Sequence, residues 1–339
     1  MSLRTTTGAV ITGPQRVELQ EITLPDVSYG TVLVRVEECG VCGSDFQVYD
    51  GKAPDRFPMP VGHEFGGIVE EIGAGVSTLD IGDRVAVWVR DGKELGALGL
   101  AERCVVPAAN CVEVPTASLA AIEPLACAVN AVDLATPPVG AHVVVIGGGY
   151  MADLIAALST TAATVTVAAR RQYQLDFATG AGATNTLRLT GNDGDENAAL
   201  LASEIRAITG GQLAGVAYET TGVADGYNMA AAALRNRGVL CDVGYHQGGK
   251  QLLDLGTVNE RGLRVVNAHF RPDDESGYNP NIAGFHKAAR LLEHGSLAGI
   301  ERLVTNRRSG LDGVASAFAT AAARPYGHLK TVVYDLTLS

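Results

Sequence analysis

Short apolar runs rich in β-branched residues recur through the first third of the chain, and turn residues separate them. The runs lie at residues 32–37, 65–72 and 84–89, with glycine-containing turns at 73–75 and 81–83. Such a pattern predicts strands joined by tight turns. The Ala-rich stretch at residues 119–135 has a helical pattern instead, which Pro137 and Pro138 end. We therefore expect a β-rich N-terminal region that closes with a helix.

A different pattern begins at residue 142, where strand-like apolar runs alternate with helical ones. Strands are predicted at residues 143–146, 164–169, 215–218, 238–243 and 263–268, and helices at 153–161 and from 175. A loop is predicted at the polar residues 187–196, a helix at 282–294 and a last strand at 331–336. Repeated strand–helix units form a parallel, doubly wound sheet. The sequence thus predicts an α/β fold, with one domain at residues 137–270 and a β-rich one made of 1–136 and 271–339.

Composition narrows the class of protein. A length of 339 residues, 47% of them hydrophobic and 19% charged, is typical of a globular chain with about two domains. The net charge of -11 argues against a nucleic-acid partner. We expect a cytoplasmic protein with no membrane association, since no bilayer-length apolar stretch and no signal-peptide pattern is visible. Six cysteines in so long a chain do not indicate a disulfide framework.

A glycine-rich turn directly follows the apolar run at residues 143–146. Gly147, Gly149 and Ala152 fit the G-x-G-x-x-A form of the dinucleotide fingerprint. Gly147 permits the tight turn, Gly149 lets the backbone approach a pyrophosphate, and Ala152 keeps the next helix close to the strand. The helix N-terminus supplies N–H groups for the phosphates. A flexible loop is the simpler alternative, but the flanking strand and helix favour a dinucleotide site.

The end of the next predicted strand bears on the choice of nicotinamide cofactor. An NAD site usually carries Asp or Glu there to hold the ribose 2′-OH. This chain has Ala168 and Ala169 followed by Arg170 and Arg171, and a guanidinium binds a phosphate through paired hydrogen bonds. Two solvated surface arginines are the alternative interpretation. The missing acid and the added bases together favour NADP(H) over NAD(H).

Three short segments carry candidate metal ligands, at residues 39–45, 62–64 and 123–126. A single buried His or Cys is more often a packed core residue than a ligand. In this order, and ahead of the dinucleotide fingerprint, the segments resemble the zinc-dependent medium-chain dehydrogenase/reductase family, most closely its sorbitol or polyol dehydrogenase branch. Further matches at residues 82–85, 219–222 and 303–305 extend the resemblance along essentially the whole chain.

The resemblance implies a GroES-like catalytic domain that binds one zinc ion, together with a Rossmann domain. Cys42 and His63 would be direct zinc ligands, and Glu64 and Glu123 would reach the metal directly or through water. Such a set of S, N and O donors suits a catalytic zinc that keeps one position open. Asp45 would accept the other ring N–H of His63 and orient the imidazole.

The resemblance also implies a reaction, namely hydride transfer between NADP(H) and a small-molecule secondary alcohol or ketone, such as a polyol or cyclitol. Ser44 is expected to take the hydroxyl proton and pass it outward, with a plain turn hydroxyl as the alternative. Val243 is expected beside the nicotinamide ring and Lys330 near the cofactor pyrophosphate. Arg271 matches an Arg that contacts polyol hydroxyls, and a surface salt bridge explains it equally well.

The chain departs from the family at two places. Relatives often carry a lobe whose four cysteines bind a structural zinc, whereas residues 88–103 contain no Cys or His, so we expect one zinc per chain. Gln47 replaces a frequent His at the end of the proton relay, so water or a ribose hydroxyl would have to complete the path.

Two other functions stay open, a zinc-free quinone or enone reductase on the same fold and a non-catalytic dinucleotide-binding homologue. For assembly we expect a homodimer that pairs residues 263–268 of each copy, with a tetramer as the alternative.

Overall fold

The structure is a computed structural model that describes residues 4–89, 99–246, 250–269, 280–295, 297 and 299–336. It contains two compact units, one made of Met1–Ala126 with Pro272–Ser339 and the other of Cys127–Arg271. The domain boundaries predicted from the sequence, after residues 136 and 270, stay a prediction. Within the described ranges, no helix combines the length and the apolar character needed to cross a membrane.

The strands, numbered along the chain, are β1 (Thr5–Gly13), β2 (Arg16–Thr23), β3 (Thr31–Val41), β4 (Met59–Pro60), β5 (Glu64–Ile72), β6 (Arg84–Val87), β7 (Arg103–Pro107), β8 (Cys111–Glu113), β9 (His142–Ile146), β10 (Thr164–Ala169), β11 (Asn185–Arg188), β12 (Ala214–Glu219), β13 (Leu234–Asp242), β14 (Arg264–Asn267), β15 (Val304–Ser309) and β16 (Lys330–Tyr334). The α-helices are α1 (Phe46–Tyr49), α2 (Ile122–Leu134), α3 (Tyr150–Leu158), α4 (Gln172–Gly180), α5 (Gly194–Ile208), α6 (Ala224–Ala233), α7 (Leu255–Glu260), α8 (Pro280–Glu293) and α9 (Val314–Ala323).

The first unit is built on two sheets. β2, β1 and β4 form the smaller one, and the larger has the order β15-β16-β3-β5-β6-β8 with β7 also paired to β3. Val32, Val34 and Val36 on β3 are all buried, which is the period of two expected for a strand with one face on a core. The predicted β-rich region is therefore confirmed.

Helix α9 packs on this sheet and supports helix α1, which lies between the candidate metal ligands Cys42 and His63 in the sequence. Val314, Ala317, Phe318 and Ala321 are buried, at the three- and four-residue spacing of a single helix face. The Phe318 ring lies 6.2 Å from the ring of Phe46 and 5.4 Å from that of Tyr49, measured between centroids. The aromatic contacts thus hold α1, and with it the turn that comes before α1, against the core.

The second unit contains one six-stranded sheet with the order β11-β10-β9-β12-β13-β14, and every adjacent pair of strands is parallel. This is the strand order of a Rossmann fold, in which ligands bind at the carboxyl ends of the strands where the order reverses, here between β9 and β12. Residues 143–146 of β9 are fully buried, as expected for a strand covered on both faces. The doubly wound α/β prediction is confirmed.

The prediction of a loop at residues 187–196 is confirmed for residues 189–193 and was wrong at both ends of the segment. The segment begins in edge strand β11 and ends in the first turn of α5. Asp193 caps that helix, since its carboxylate accepts the Glu196 N–H at 2.9 Å. Edge strands and helix starts both leave polar side chains in solvent, so their sequences resemble that of a loop.

One buried carboxyl group in α3 is unusual. The side chain of Asp153 is fully buried, in the first turn after the glycine-rich segment, and neither of its oxygens has a hydrogen-bond partner. Burial raises the pKa of Asp153 from its ordinary 3.8 to about 8. The group therefore keeps its proton in the folded protein at neutral pH.

We expect Asp153→Asn to stabilise the protein, and to do so more strongly as the pH rises. The unfolded chain loses the Asp153 proton near pH 3.8 and the folded chain only near pH 8, so wild-type stability falls across that interval. The advantage of the variant in urea-unfolding free energy should grow from about pH 5 to about pH 8 and then level off.

Asp254→Asn is the control for this measurement. Hydrogen bonds from Thr257, first from its hydroxyl and then from its amide, lower the pKa of Asp254, so its stabilising effect is already complete well below neutral pH. That variant should show no advantage that grows with pH. Parallel stability curves for wild type and Asp153→Asn would contradict the buried, protonated state of Asp153.

Candidate metal and cofactor sites

Two antiparallel strands of the first unit bring three of the predicted metal ligands together. β3 ends one residue before Cys42 and β5 begins at Glu64, with Gly40 paired to Glu64 in the ladder. The ligand atoms of Cys42, His63 and Glu64 all lie within 4.8 Å of one another. That spacing suits donors that each lie about 2.0–2.3 Å from one ion. The cluster, called here the metal cluster, is therefore a candidate zinc site.

Asp45 and Ser44 flank the imidazole of His63 on its two sides. The buried Asp45 carboxylate accepts the Cys42 N–H at 3.0 Å, and its Oδ1 lies 3.5 Å from His63 Nδ1. Ser44 Oγ lies 3.4 Å from His63 Nε2. Burial acts to lower the pKa of His63, but Asp45 and Cys42 raise it well above its ordinary value. The electrostatic environment of this ring thus favours positive charge.

A buried ion pair holds the third member of the metal cluster. Glu64 and Lys330 are only 1% and 6% exposed and form a salt bridge, and Lys330 Nζ also donates to the Val41 carbonyl at 3.1 Å. Gly40 leaves room for the pair, because a Cβ there would overlap the Glu64 carboxylate. The Lys330 ammonium therefore neutralises Glu64. Contact between Lys330 and a cofactor pyrophosphate stays a prediction.

The remaining candidate residues of the first unit are not members of the metal cluster or lie outside the described residues. Glu123 is the second residue of α2, partly buried, and is not a member of the metal cluster. Cys39 is a free, fully buried thiol whose pKa is raised by burial first and then by the charge of Glu64. Arg271 and most of the segment 88–103 lie outside the described residues.

The glycine-rich turn of the second unit has the geometry that the fingerprint requires. Gly147 adopts a φ of 110°, in the left-handed region that favours glycine. A side chain at Gly149 would meet nothing within 4 Å, so the backbone there is open to a ligand. Ala152 is fully buried and brings α3 close to the sheet. The turn thus presents the N-terminus of α3 at the carboxyl end of β9.

The two candidate arginines follow β10 directly. Arg170 and Arg171 are exposed, and Arg171 donates to the Tyr173 hydroxyl at 3.1 Å. No acidic residue stands between Ala169, which ends β10, and Gln172, which begins α4. Val243 follows β13, and its N–H donates to the Glu219 carbonyl at 2.9 Å. These positions lie at the same carboxyl edge of the sheet as Gly147.

The structure also reveals a group that the sequence analysis did not identify. Glu219, Asp242 and His246 offer ligand atoms that all lie within 4.8 Å of one another; we call this group the strand-end cluster. Glu219 and Asp242 are the last residues of β12 and β13 and are paired in register. The signal available in the sequence was an acidic residue at the end of each of two apolar strands, together with a nearby histidine.

Comparison with known proteins identifies the class. The alcohol dehydrogenase GroES-like domain family matches residues 28–116, and the zinc-binding dehydrogenase family matches residues 147–283. These ranges include the metal cluster and the glycine-rich turn respectively. The chain therefore belongs to the medium-chain alcohol dehydrogenase superfamily, and the resemblance seen in the sequence is confirmed.

Individual relatives agree with this assignment. "Probable D-xylulose reductase A" of Emericella nidulans is 31% identical over 273 residues, which are 71% of this chain and 74% of that protein. An alcohol dehydrogenase of Geobacillus stearothermophilus is 43% identical over 75 residues, but these span only 21% of this chain and 22% of that protein. A zinc-binding dehydrogenase structure from Sinorhizobium meliloti 1021, bound to NADP, aligns with a TM-score of 0.80 at 25% identity and covers 98% of this chain and 99% of that one.

We expect Lys330→Met to destabilise the protein by about 3–5 kcal/mol, because it leaves the Glu64 carboxylate buried without its counter-charge. Urea unfolding monitored by circular dichroism measures the loss. The double variant with Glu64→Gln should recover part of it, since the uncompensated charge is then gone. Lys52→Met is the control, because its ion pair with Asp50 is largely exposed and should contribute little. Equal losses in the single and double variants would contradict this account of the pair.

Proposed function

We propose that this protein is a zinc-dependent oxidoreductase that transfers hydride between NADP(H) and a secondary alcohol or ketone. The observation that carries the proposal is the metal cluster of Cys42, His63 and Glu64, present in a chain that also has a Rossmann glycine-rich turn. A thiolate, an imidazole and a carboxylate are the donors that zinc takes in catalytic sites. These features support a zinc enzyme over a zinc-free reductase on the same fold.

The residues around the metal cluster fit a zinc ion. Cys42 and His63 are partly exposed, so their donor atoms can be reached, and Asp45 behind His63 orients the ring and leaves Nε2 for the metal. When bound, zinc supplies Lewis acidity toward an alcohol or ketone oxygen. Lys330 offsets the charge of Glu64, which keeps the cluster from becoming strongly anionic. We propose that Glu64 and Glu123 complete the ligand set, directly or through water.

Ser44 is the residue we assign to proton transfer. Its hydroxyl lies 3.4 Å from His63 Nε2, so it is next to the ligand atoms, and a hydroxyl can accept one proton while donating another. Gln47, on α1, does not titrate and can only align a hydrogen-bonded path. We propose that Ser44 holds the substrate hydroxyl proton and that water continues the path.

Arg170 and Arg171 support NADP(H) as the cofactor. They stand at the end of β10, where a carboxylate would otherwise select NAD(H) through the ribose 2′-OH. A relative of similar fold binds NADP, in agreement with this assignment. We further propose that Gly147, Gly149 and Ala152 form the pyrophosphate turn and that Val243 borders the nicotinamide.

We also propose a substrate class and an assembly. A relative that aligns with 71% of the chain is a D-xylulose reductase by name, which supports a polyol, cyclitol or related hydroxylated molecule. Within the described residues, β14 is an edge strand of its sheet, and Val265 on this strand is 42% exposed. An edge strand of this kind can pair with its copy in a second chain, so we propose a homodimer.

The first test combines metal analysis with turnover. We expect about one zinc per chain in protein purified without chelator, and NADPH oxidation with at least one ketone from a panel that includes keto forms of polyols and cyclitols. Cys42→Ala and His63→Ala should each lose most of the metal, measured by plasma mass spectrometry, and most of the activity. Cys111→Ala, which alters another partly exposed thiol of the same unit, should keep both.

Each of two other results would favour one of the alternative functions. Turnover by metal-free protein would favour a zinc-free quinone or enone reductase. Cofactor binding without turnover of any substrate in the panel would favour a non-catalytic homologue. About two zinc ions per chain would contradict the single-zinc prediction.

The second test concerns the choice of cofactor. Arg170→Ala should lower the ratio of kcat/KM for NADPH to that for NADH by about tenfold or more, because a guanidinium–phosphate contact is lost for NADPH alone. Arg206→Ala removes an exposed arginine from α5 and should leave the ratio unchanged. An unchanged ratio of the two kcat/KM values in Arg170→Ala would contradict the assignment of NADP(H) as the cofactor.

A further inference from the structure

The strand-end cluster joins two loops at the carboxyl edge of the Rossmann sheet, those after β12 and β13. The Glu219 carboxylate is fully buried and accepts hydrogen bonds from the Thr221 N–H at 2.6 Å, the Gly222 N–H at 3.0 Å and the Thr221 hydroxyl. Gly244, after β13, packs so closely that a Cβ there would overlap the Gly222 backbone and the Glu219 carboxylate. The position of this carboxylate is therefore set by both loops.

Thr220, the residue after Glu219, contacts the glycine-rich turn. The Thr220 hydroxyl donates to the carbonyl of Ile146, the last residue of β9, at 2.7 Å. A Cβ at Gly147 would overlap that hydroxyl, so Thr220 and the turn are in direct contact. Glu219, one residue before Thr220, thus lies next to the edge where a dinucleotide binds in this fold.

Among the three members of the cluster, only His246 can carry a positive charge. Its Nε2 lies 2.9 Å from Asp242 Oδ1 and 3.8 Å from Glu219 Oε2, and its Nδ1 lies 3.3 Å from Gln251 Oε1. Both ring nitrogens therefore face oxygen acceptors, an arrangement that suits an imidazolium.

The surroundings of His246 favour its protonated form. Burial acts to lower the pKa of His246, but the hydrogen bond and the charge of Asp242, with smaller effects of Gln251 and Glu219, raise it above its ordinary 6.5. Among titratable neighbours, Tyr227 of α6 also lies near Asp242, whose charge adds to burial in raising the pKa of that phenol. Burial, with the charge of Asp242, also raises the pKa of Glu219, against hydrogen bonds from Thr221 and Gly222 that lower it. The Tyr227 phenol stays neutral, and the His246 proton changes the charge of the cluster near neutral pH.

We propose that His246, through its pairing with Asp242 and Glu219, sets the relative affinity of this protein for the oxidised and reduced forms of its nicotinamide cofactor. The inference rests on the proposed function, since it requires a dinucleotide at this edge. The nicotinamide ring carries a positive charge in NADP⁺ and none in NADPH. A cluster with a neutral His246 has two uncompensated carboxylates and attracts the oxidised ring, whereas a protonated His246 reduces that attraction.

A metal site is the other use that this set of donors could have, and the contacts favour the proton-linked role. Each Glu219 oxygen already accepts a backbone N–H, and His246 Nε2 is bonded to Asp242. The three side chains thus satisfy one another and their own loops.

The test is to measure the dissociation constants of NADP⁺ and NADPH by calorimetry and NADPH fluorescence between about pH 5.5 and pH 8.5. In the wild type, the ratio Kd(NADP⁺)/Kd(NADPH) should fall as the pH rises and His246 loses its proton. In His246→Gln the ratio should be nearly independent of pH and stay close to the wild-type high-pH limit. The two proteins should differ by about threefold to tenfold near pH 6.

His142→Gln is the matched control. His142 begins β9, at the opposite end of the sheet, and bonds to the Thr164 hydroxyl at 2.9 Å, so the control variant should follow the wild-type curve. Asp242→Asn gives a second measurement, because it makes the cluster less negative and should raise the ratio at high pH.

Three outcomes would overturn the inference or the proposed function on which it rests. If His246→Gln keeps the pH dependence of the wild type, His246 does not set the preference. If the wild type holds an additional zinc equivalent that His246→Gln loses, the cluster is a metal site. If the wild type binds neither cofactor form, the proposed function itself fails, which distinguishes that case from the first two.

Discussion

The buried ion pair between Glu64 and Lys330 ties three strands of the first unit together. It links the first residue of β5 to the first residue of β16 across β3, and Lys330 also holds the Val41 carbonyl at the end of β3. The metal cluster therefore forms where three strands are joined by one charge pair. Two buried charges are tolerated only when each satisfies the other, so the residues around them have little freedom. Gly40 illustrates this, since any side chain there would displace the pair.

The second unit also contains a buried carboxylate, and hydrogen bonds stabilise it in place of an ion pair. Glu219 receives N–H and O–H donors from the loop after β12, and its neighbour Thr220 contacts the glycine-rich turn. In a parallel sheet the carboxyl ends of all strands lie on one edge, so polar groups at strand ends gather there. The same edge holds Gly147, Arg170 and Val243. A buried carboxylate and an open glycine-rich backbone thus lie at one edge of the sheet.

Much of the fold and part of the site could be predicted from local sequence. The strands from β9 to β14 follow from apolar runs, with β11 as the exception, because its polar residues suit an edge strand and a loop equally well. Cys42, His63 and Glu64 were recognised from short segments in a particular order. The partner of Glu64 was not, since Lys330 is 266 residues away in the sequence. No local pattern shows that a lysine at the start of a late strand is buried against an early glutamate.

The sequence by itself determined the class of this protein, because glycine turns, strand periodicity and ligand spacing are local properties that the physics of the backbone ties to particular structures. Only the tertiary structure decided the charge environment of the candidate sites. It paired Lys330 with Glu64, left Asp153 buried without a partner, and brought His246 to two carboxylates at the strand ends. The reason is physical: desolvation and Coulomb energies depend on distances between groups that are remote in sequence, and folding alone sets those distances.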